Sequence, residues 1–144
     1  MTLSKPSWIL EEYVVAAATH YRAHPSVITA HAAIEQLFHF ADRIYEYCEE
    51  NRLAVLGGRS FRSFRDHLIA SEPDMSLADR VTNVGKHHRI ERGGIEYTST
   101  GQFFDDKGVF WILDGNGQKF RTVDDLLTSG VAMWQRWLQA HPGL

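Results

Sequence analysis

Residues 93–122 read GGIEYTSTGQFFDDKGVFWILDGNGQKFRT, and this stretch decides the fold class. Upstream of it the apolar residues recur at helical spacing; within it the pattern turns β-like. Ile95-Glu96-Tyr97-Thr98-Ser99 is β-prone. Gln102-Phe103-Phe104 runs into the turn Asp105-Asp106-Lys107-Gly108, and Val109-Phe110-Trp111-Ile112-Leu113 is the strongest strand in the chain. Asp114-Gly115-Asn116-Gly117 reads as a hairpin turn because Gly and Asn tolerate positive φ, and Gln118–Thr122 reads as the returning strand. An isolated hairpin is only marginally stable in water. The resulting meander must therefore lay Trp111, Phe104 or Phe110 on helices.

Those helices are marked by local start and stop signals on both sides. Ser4 and Ser7 are candidate N-caps for a first helix to about Ala23, which Pro25 ends by excluding helical geometry at His24. Ser26 caps a second helix over 27–50, with Asn51 and Gly57-Gly58 at its exit. Ser60 caps a third over 61–70. Pro73 and Ser76 precede a fourth over about 77–89, with Asp79 completing a capping box and Gly93-Gly94 ending the helix. Thr122 and Asp125 form a similar box opening a last helix to about Gln139. Gly130 inside that helix costs roughly 1 kcal/mol against Ala, so its missing side chain suggests close packing. Leu126, Leu127, Met133, Trp134, Trp137 and Leu138 supply the partner surface for the meander. The expected fold is mainly α. It is an antiparallel bundle of about five helices with a small three-stranded antiparallel β-meander, at about 95–122, inserted before the last helix. The 144 residues form one domain.

A chain of this length can bury roughly 70% of its unfolded surface, so it folds without a disulfide or metal. Cys48 is the single cysteine, which excludes an internal disulfide and a Cys-based zinc site. There is no apolar run of membrane-spanning length, and acidic residues interrupt the apolar N-terminal stretch, so the expectation is a soluble, cytoplasmic protein of bacterial type. The net charge of −3 argues against a general nucleic-acid binder. Residues 59–92 differ from the rest: seven Lys/Arg stand against five Asp/Glu there, with His67, His87 and His88 in addition, so this third alone has a charge suited to an anion.

Eight histidines raise the question of a metal. His31, Glu35, His39, Asp42 and Glu46 line one face of the second helix. The opposite face carries Ile34, Leu37, Phe38, Ala41, Ile44, Tyr45 and Cys48, so the pattern is that of an amphipathic helix with its wet side named. A carboxylate-bridged di-metal bundle needs two Glu-x-x-His copies, and neither is present. The reading therefore assigns no metal and no cofactor. In the third helix, Phe61, Phe64 and Leu68 share a side. Arg62 and Asp66 are spaced for an i,i+4 ion pair, and His67 lies about 140° around the helix from Arg62.

The fourth helix carries the most chemistry. Leu77, Val81, Val84 and His88 form its buried stripe, with Asp79 and Lys86 expected in solvent. Arg80, Asn83 and His87 run along one flank, with Arg80 and His87 two turns apart, about 10 Å by the helical rise. Both side chains can reach one phosphate lying between them. The chemistry this fits is metal-independent cleavage of an RNA phosphodiester. His87 would move the proton, Arg80 would grip the phosphate, and Asn83 and Lys86 would add hydrogen bonds and charge.

This segment resembles a group of bacterial proteins, of unassigned function, built on an Asp-x-x-Asn/Asp-x-x-Lys-His helix. Asp79 or Arg80, Asn83, Lys86 and His87 match. The likeness extends to His31-Ala32-Ala33-Ile34-Glu35-Gln36, to Phe64-Arg65-Asp66-His67-Leu68 and to Met133-Trp134, covering most of the chain. A second resemblance is to HEPN domains, helical bundles that often act as ribonucleases. Their motif is an Arg, four to six residues, then a His. Arg80 to His87 and Arg62 to His67 have that spacing; Val81 follows Arg80 where a polar residue is usual, and the meander is no part of the basic HEPN bundle. The HEPN resemblance implies Arg80 and His87 as catalytic residues, RNA as substrate and a homodimer. Asn83, Lys86, Arg62 and His67 stand as substrate-binding candidates. The alternative is a non-catalytic protein-interaction module, presenting aromatic surface from the meander and last helix to a protein partner.

Overall fold

The structure is a computed structural model describing residues 3–86, 90–92, 95–97 and 103–144. The first helical rod comprises α1 (Pro6–Ile9), a π-helical turn (Leu10–Val15) and α2 (Ala16–Ala23). It starts without a side-chain cap. Lys5 holds the cap position and neither Ser4 nor Ser7 caps it; Pro6 stands in the first turn, where its missing N–H is no loss. The rod ends as expected, with His24 at φ −137°, ψ 68° before Pro25.

The long helix α3 (Val27–Glu50) opens on a complete capping box between Ser26 and Thr29. Its buried residues run from Ala30 and Ala33 through Leu37, Phe38, Phe40 and Ile44 to Cys48. At 100° per residue they cover an arc of roughly 160°. An arc that wide can be sheltered only by several neighbours, and α2, α4 (Phe61–Ser71), α5 (Pro73–Lys86) and α6 (Val123–Gln139) all pack on α3. It is the axis of the bundle. Counting the first rod once, the described residues form five helices.

Ser60 caps α4 by accepting the N–H of Ser63 at 3.1 Å. α5 begins four residues earlier than the expected Leu77: Pro73 occupies its first position, and the Ser76 N–H already donates to the Glu72 carbonyl at 3.1 Å. Ser76 is thus a first-turn residue and not the cap. A proline is read most easily as a breaker, but its fixed φ also suits a helix start. Leu77 and Val81 are buried as expected, at 6% and 0% exposure, whereas Asp79 is half-buried instead of facing solvent. Val84, Lys86 and His88, the rest of that assignment, have side chains outside the described residues.

The three-stranded meander consists of β3 (Phe103–Asp106), β4 (Val109–Leu113) and β5 (Lys119–Thr122), antiparallel in that order. Before it, β1 (Ile90–Arg92) pairs antiparallel with β2 (Ile95–Tyr97) as a separate two-stranded hairpin. The expected helix over about 77–89, closed by Gly93-Gly94, leaves no place for a strand at Ile90–Arg92, whereas the β-prone Ile95–Tyr97 is a strand. The turn from β3 to β4 has Lys107 at φ 54° and Gly108 at φ 85°, both left-handed, as the tightest hairpin connection requires. Phe103, Phe110 and Ile112 point inward, so of the three aromatics proposed to seat the sheet only Phe110 does so; Phe104 and Trp111 face away.

α6 is capped by Thr122, which accepts the Asp125 N–H at 3.1 Å. The Asp125 carboxylate bonds Arg121 and not the cap. Gly130 meets α3 closely: a Cβ built on it would lie 2.5 Å and 2.8 Å from the two terminal carbons of Leu37, which is itself fully buried. Close packing at this glycine was expected, and the geometry shows it. Gly130→Ala should therefore lower stability by about 1–3 kcal/mol in urea unfolding, overpacking outweighing the gain in helix propensity. A stabilised variant would contradict this contact. Among the described residues no helix is long and apolar enough to cross a membrane.

Candidate functional site

The flank of α5 on which the chemistry was expected meets the far end of the meander. The Arg80 Nη2 donates to the Leu113 carbonyl at 3.0 Å, so the side chain fastens α5 to the end of β4. Its guanidinium carbon lies 5.9 Å from the centroid of the Phe120 ring, and its Nε is buried without a hydrogen-bond partner. Next to it, Asp114 accepts the backbone N–H groups of Gln118 and Asn116. These hold its carboxyl below the usual range, and the Arg80 charge pulls the same way. Asn83, one turn on, is exposed and donates to Asp79 at 2.9 Å. His87 and the Lys86 side chain lie outside the described residues.

The second Arg–His candidate pair separates. Arg62 is 87% exposed and lies 3.7 Å from Asp66, the i,i+4 neighbour its spacing indicated. His67 points elsewhere, into a cleft beneath the end of α6. The acidic and histidine face of α3 resolves into two local pairs, His31 with Glu35 at 3.5 Å and His39 with Asp42 at 3.1 Å.

The outward face of the meander was not resolved by the sequence. Phe104 and Trp111 are direct cross-strand partners on it. Lys119 lies over both rings, its Nζ 5.3 Å from the Phe104 centroid and 5.4 Å from that of Trp111, and also pairs with Asp106 at 2.5 Å. Val109 flanks them, 48% exposed. A register shift places Arg121 opposite Ile112 but Lys119 opposite Leu113, leaving Phe120 as the extra residue of a bulge, 57% exposed. The last helix does not share in this surface: Trp134 is fully buried and Trp137 half-buried. On the meander and its rim Arg80, Lys107, Lys119 and Arg121 stand against Asp105, Asp106 and Asp114, and two of these cations are already paired, Lys119 with Asp106 and Arg121 with Asp74 and Asp125.

Comparison with protein-family models, with curated proteins and with solved structures finds no match to this chain.

Proposed function

We propose that this protein is a non-catalytic protein-interaction module whose recognition surface is the outer face of the β-meander. The observation that carries the reading is the cross-strand pair Phe104 and Trp111 under Lys119, with Val109 beside it and Phe120 exposed at the adjoining bulge. Large aromatic side chains held rigidly by a sheet bury much area at little entropic cost, which makes them the usual anchors of protein interfaces. The charge pairing favours a protein over RNA. A phosphate backbone is held by unpaired Lys and Arg, and here Lys119 is paired with Asp106 and Arg121 with Asp74 and Asp125. The commitment of Arg80 to the Leu113 carbonyl supports the same choice, because that bond gives the arginine a role in holding the surface together.

The test is affinity capture from the source cell with wild type and a Trp111→Ala variant, followed by direct binding of the purified partner. Trp111→Ala should weaken that binding by about thirtyfold, the effect of losing an anchor near 2 kcal/mol. In parallel, wild type and His87→Ala are incubated with total RNA, with and without EDTA. Wild-type cleavage lost in His87→Ala would sink the interaction reading in favour of the HEPN-like ribonuclease on Arg80 and His87.

A further inference from the structure

Away from the meander residues, α4, the loop after α3 and the last turn of α6 line an open cleft of about 320 Å³, within the lower range of small-ligand pockets. Its lining divides into two parts. Trp137, Phe64 and Leu68 give an apolar floor; Arg59, His67 and His141 bring nitrogen bases to the same space, and none of the described residues lining it is acidic.

His141 is held in one pose. Its ring stacks on Trp137 at 3.9 Å between centroids and 19° between planes, and its Nδ1 lies 2.7 Å from the Trp137 carbonyl. A carbonyl oxygen can only accept, so Nδ1 carries the proton and Nε2 is the nitrogen left for a ligand. The Trp137 ring is fixed in turn by edge contacts with Trp134 at 6.1 Å and a tilted contact with Phe64 at 5.9 Å. His141 covers one face of the Trp137 ring, and its Nε2 donates to a carboxylate when the ring is doubly protonated, while the planar guanidinium of Arg59 suits a carboxylate directly. The cleft also accounts for His67, which the sequence marked for an anion and which lies apart from both Arg62 and the meander.

We infer that this cleft binds a small aromatic carboxylate, the ring lying along Trp137 and Phe64 and the carboxylate among Arg59, His67 and His141. The site shares no lining residue with the meander face, so it stands or falls separately from the interaction surface.

The probe is 2-naphthoate, titrated by calorimetry and by the Trp side-chain NMR signals, with 2-naphthalenemethanol as the uncharged counterpart. Saturable 2-naphthoate binding is expected below about 1 mM. The alcohol should bind about tenfold or more weakly, and Arg59→Gln/His67→Gln should lose a similar factor, with its thermal midpoint unchanged because both side chains are exposed. No saturation up to about 10 mM, equal affinity for the alcohol, or unchanged affinity in the double variant would overturn the assignment.

Discussion

Asp74→Ala should lower the folding free energy by about 3 kcal/mol, among the largest effects of any single polar substitution in this chain. Asp74 stands in the first turn of α5 and is 9% exposed. One carboxylate oxygen accepts from Arg121 of β5 and the other from Ser129 of α6, each at 2.5 Å. One side chain thus joins α5 to the consecutive elements β5 and α6, across 47 and 55 residues. Arg121 also donates its Nε to Asp125 at 2.6 Å. Burial works to lower the Arg121 pKa, but the bonds to Asp125 and Asp74 more than offset it, leaving it above the ordinary arginine value. Removing the Asp74 carboxylate leaves this largely sheltered cation with one partner and the Ser129 hydroxyl with none, and it withdraws a favourable charge from a helix N-terminus. The loss falls at the low end for buried pairs because the Arg121 side chain retains 21% exposure. Urea unfolding of wild type and variant measures it; a loss under about 1 kcal/mol would mean that the junction contributes no more than a surface ion pair.

Trp134→Ala should cost about 3–5 kcal/mol, the range for truncating a large aromatic in a well-packed core. Trp134 is fully buried at the crossing of α6 on α3. Its ring meets Phe40 edge-on at 5.0 Å, and its Nε1 donates to the Leu37 carbonyl at 2.9 Å. Gly130, one turn earlier on α6, lets the two helices approach at the same Leu37. The cavity left by alanine cannot close easily, because the backbone contact at Gly130 already sets the spacing. Trp134→Phe retains most of the apolar volume and should lose about 1–2 kcal/mol, mainly the hydrogen bond and the smaller ring. Guanidinium unfolding followed by far-UV circular dichroism separates the two variants. Equal losses would show that the hydrogen bond, and not the packing, dominates the site.

Both predictions rest on contacts between residues distant in the chain, and this divides what could be read beforehand from what could not. Ser26, Ser60 and Thr122 cap helices because the N–H they accept is three residues away. The end of α2 before Pro25, the turn at Lys107-Gly108, the three strands of the meander and the helical period of α3 are likewise local properties, and they made the fold class legible. Local chemistry misled at Pro73, which starts a helix that it was read as preceding, at Ser4 and Ser7, which do not cap the first helix, and at Ile90–Arg92, which is a strand.

The surface of the meander is the opposite case. Val109-Phe110-Trp111-Ile112-Leu113 is apolar at every position, so alternation alone cannot say which parity turns inward. Phe110 and Ile112 are buried, and Trp111 faces away, because the sheet as a whole docks against α6 and the first rod. The same holds for the candidate sites. Arg80 meets the Leu113 carbonyl across 33 residues, and Asp74 meets Arg121 across 47. His67 shares a cleft with His141 from the far end of the chain. Most helices and the strands of the meander are set by hydrogen bonds and steric limits within a few residues, and so were legible in the chain. Which side chains meet depends on how the helices around α3 pack, and burial rewards any apolar face without naming its partner.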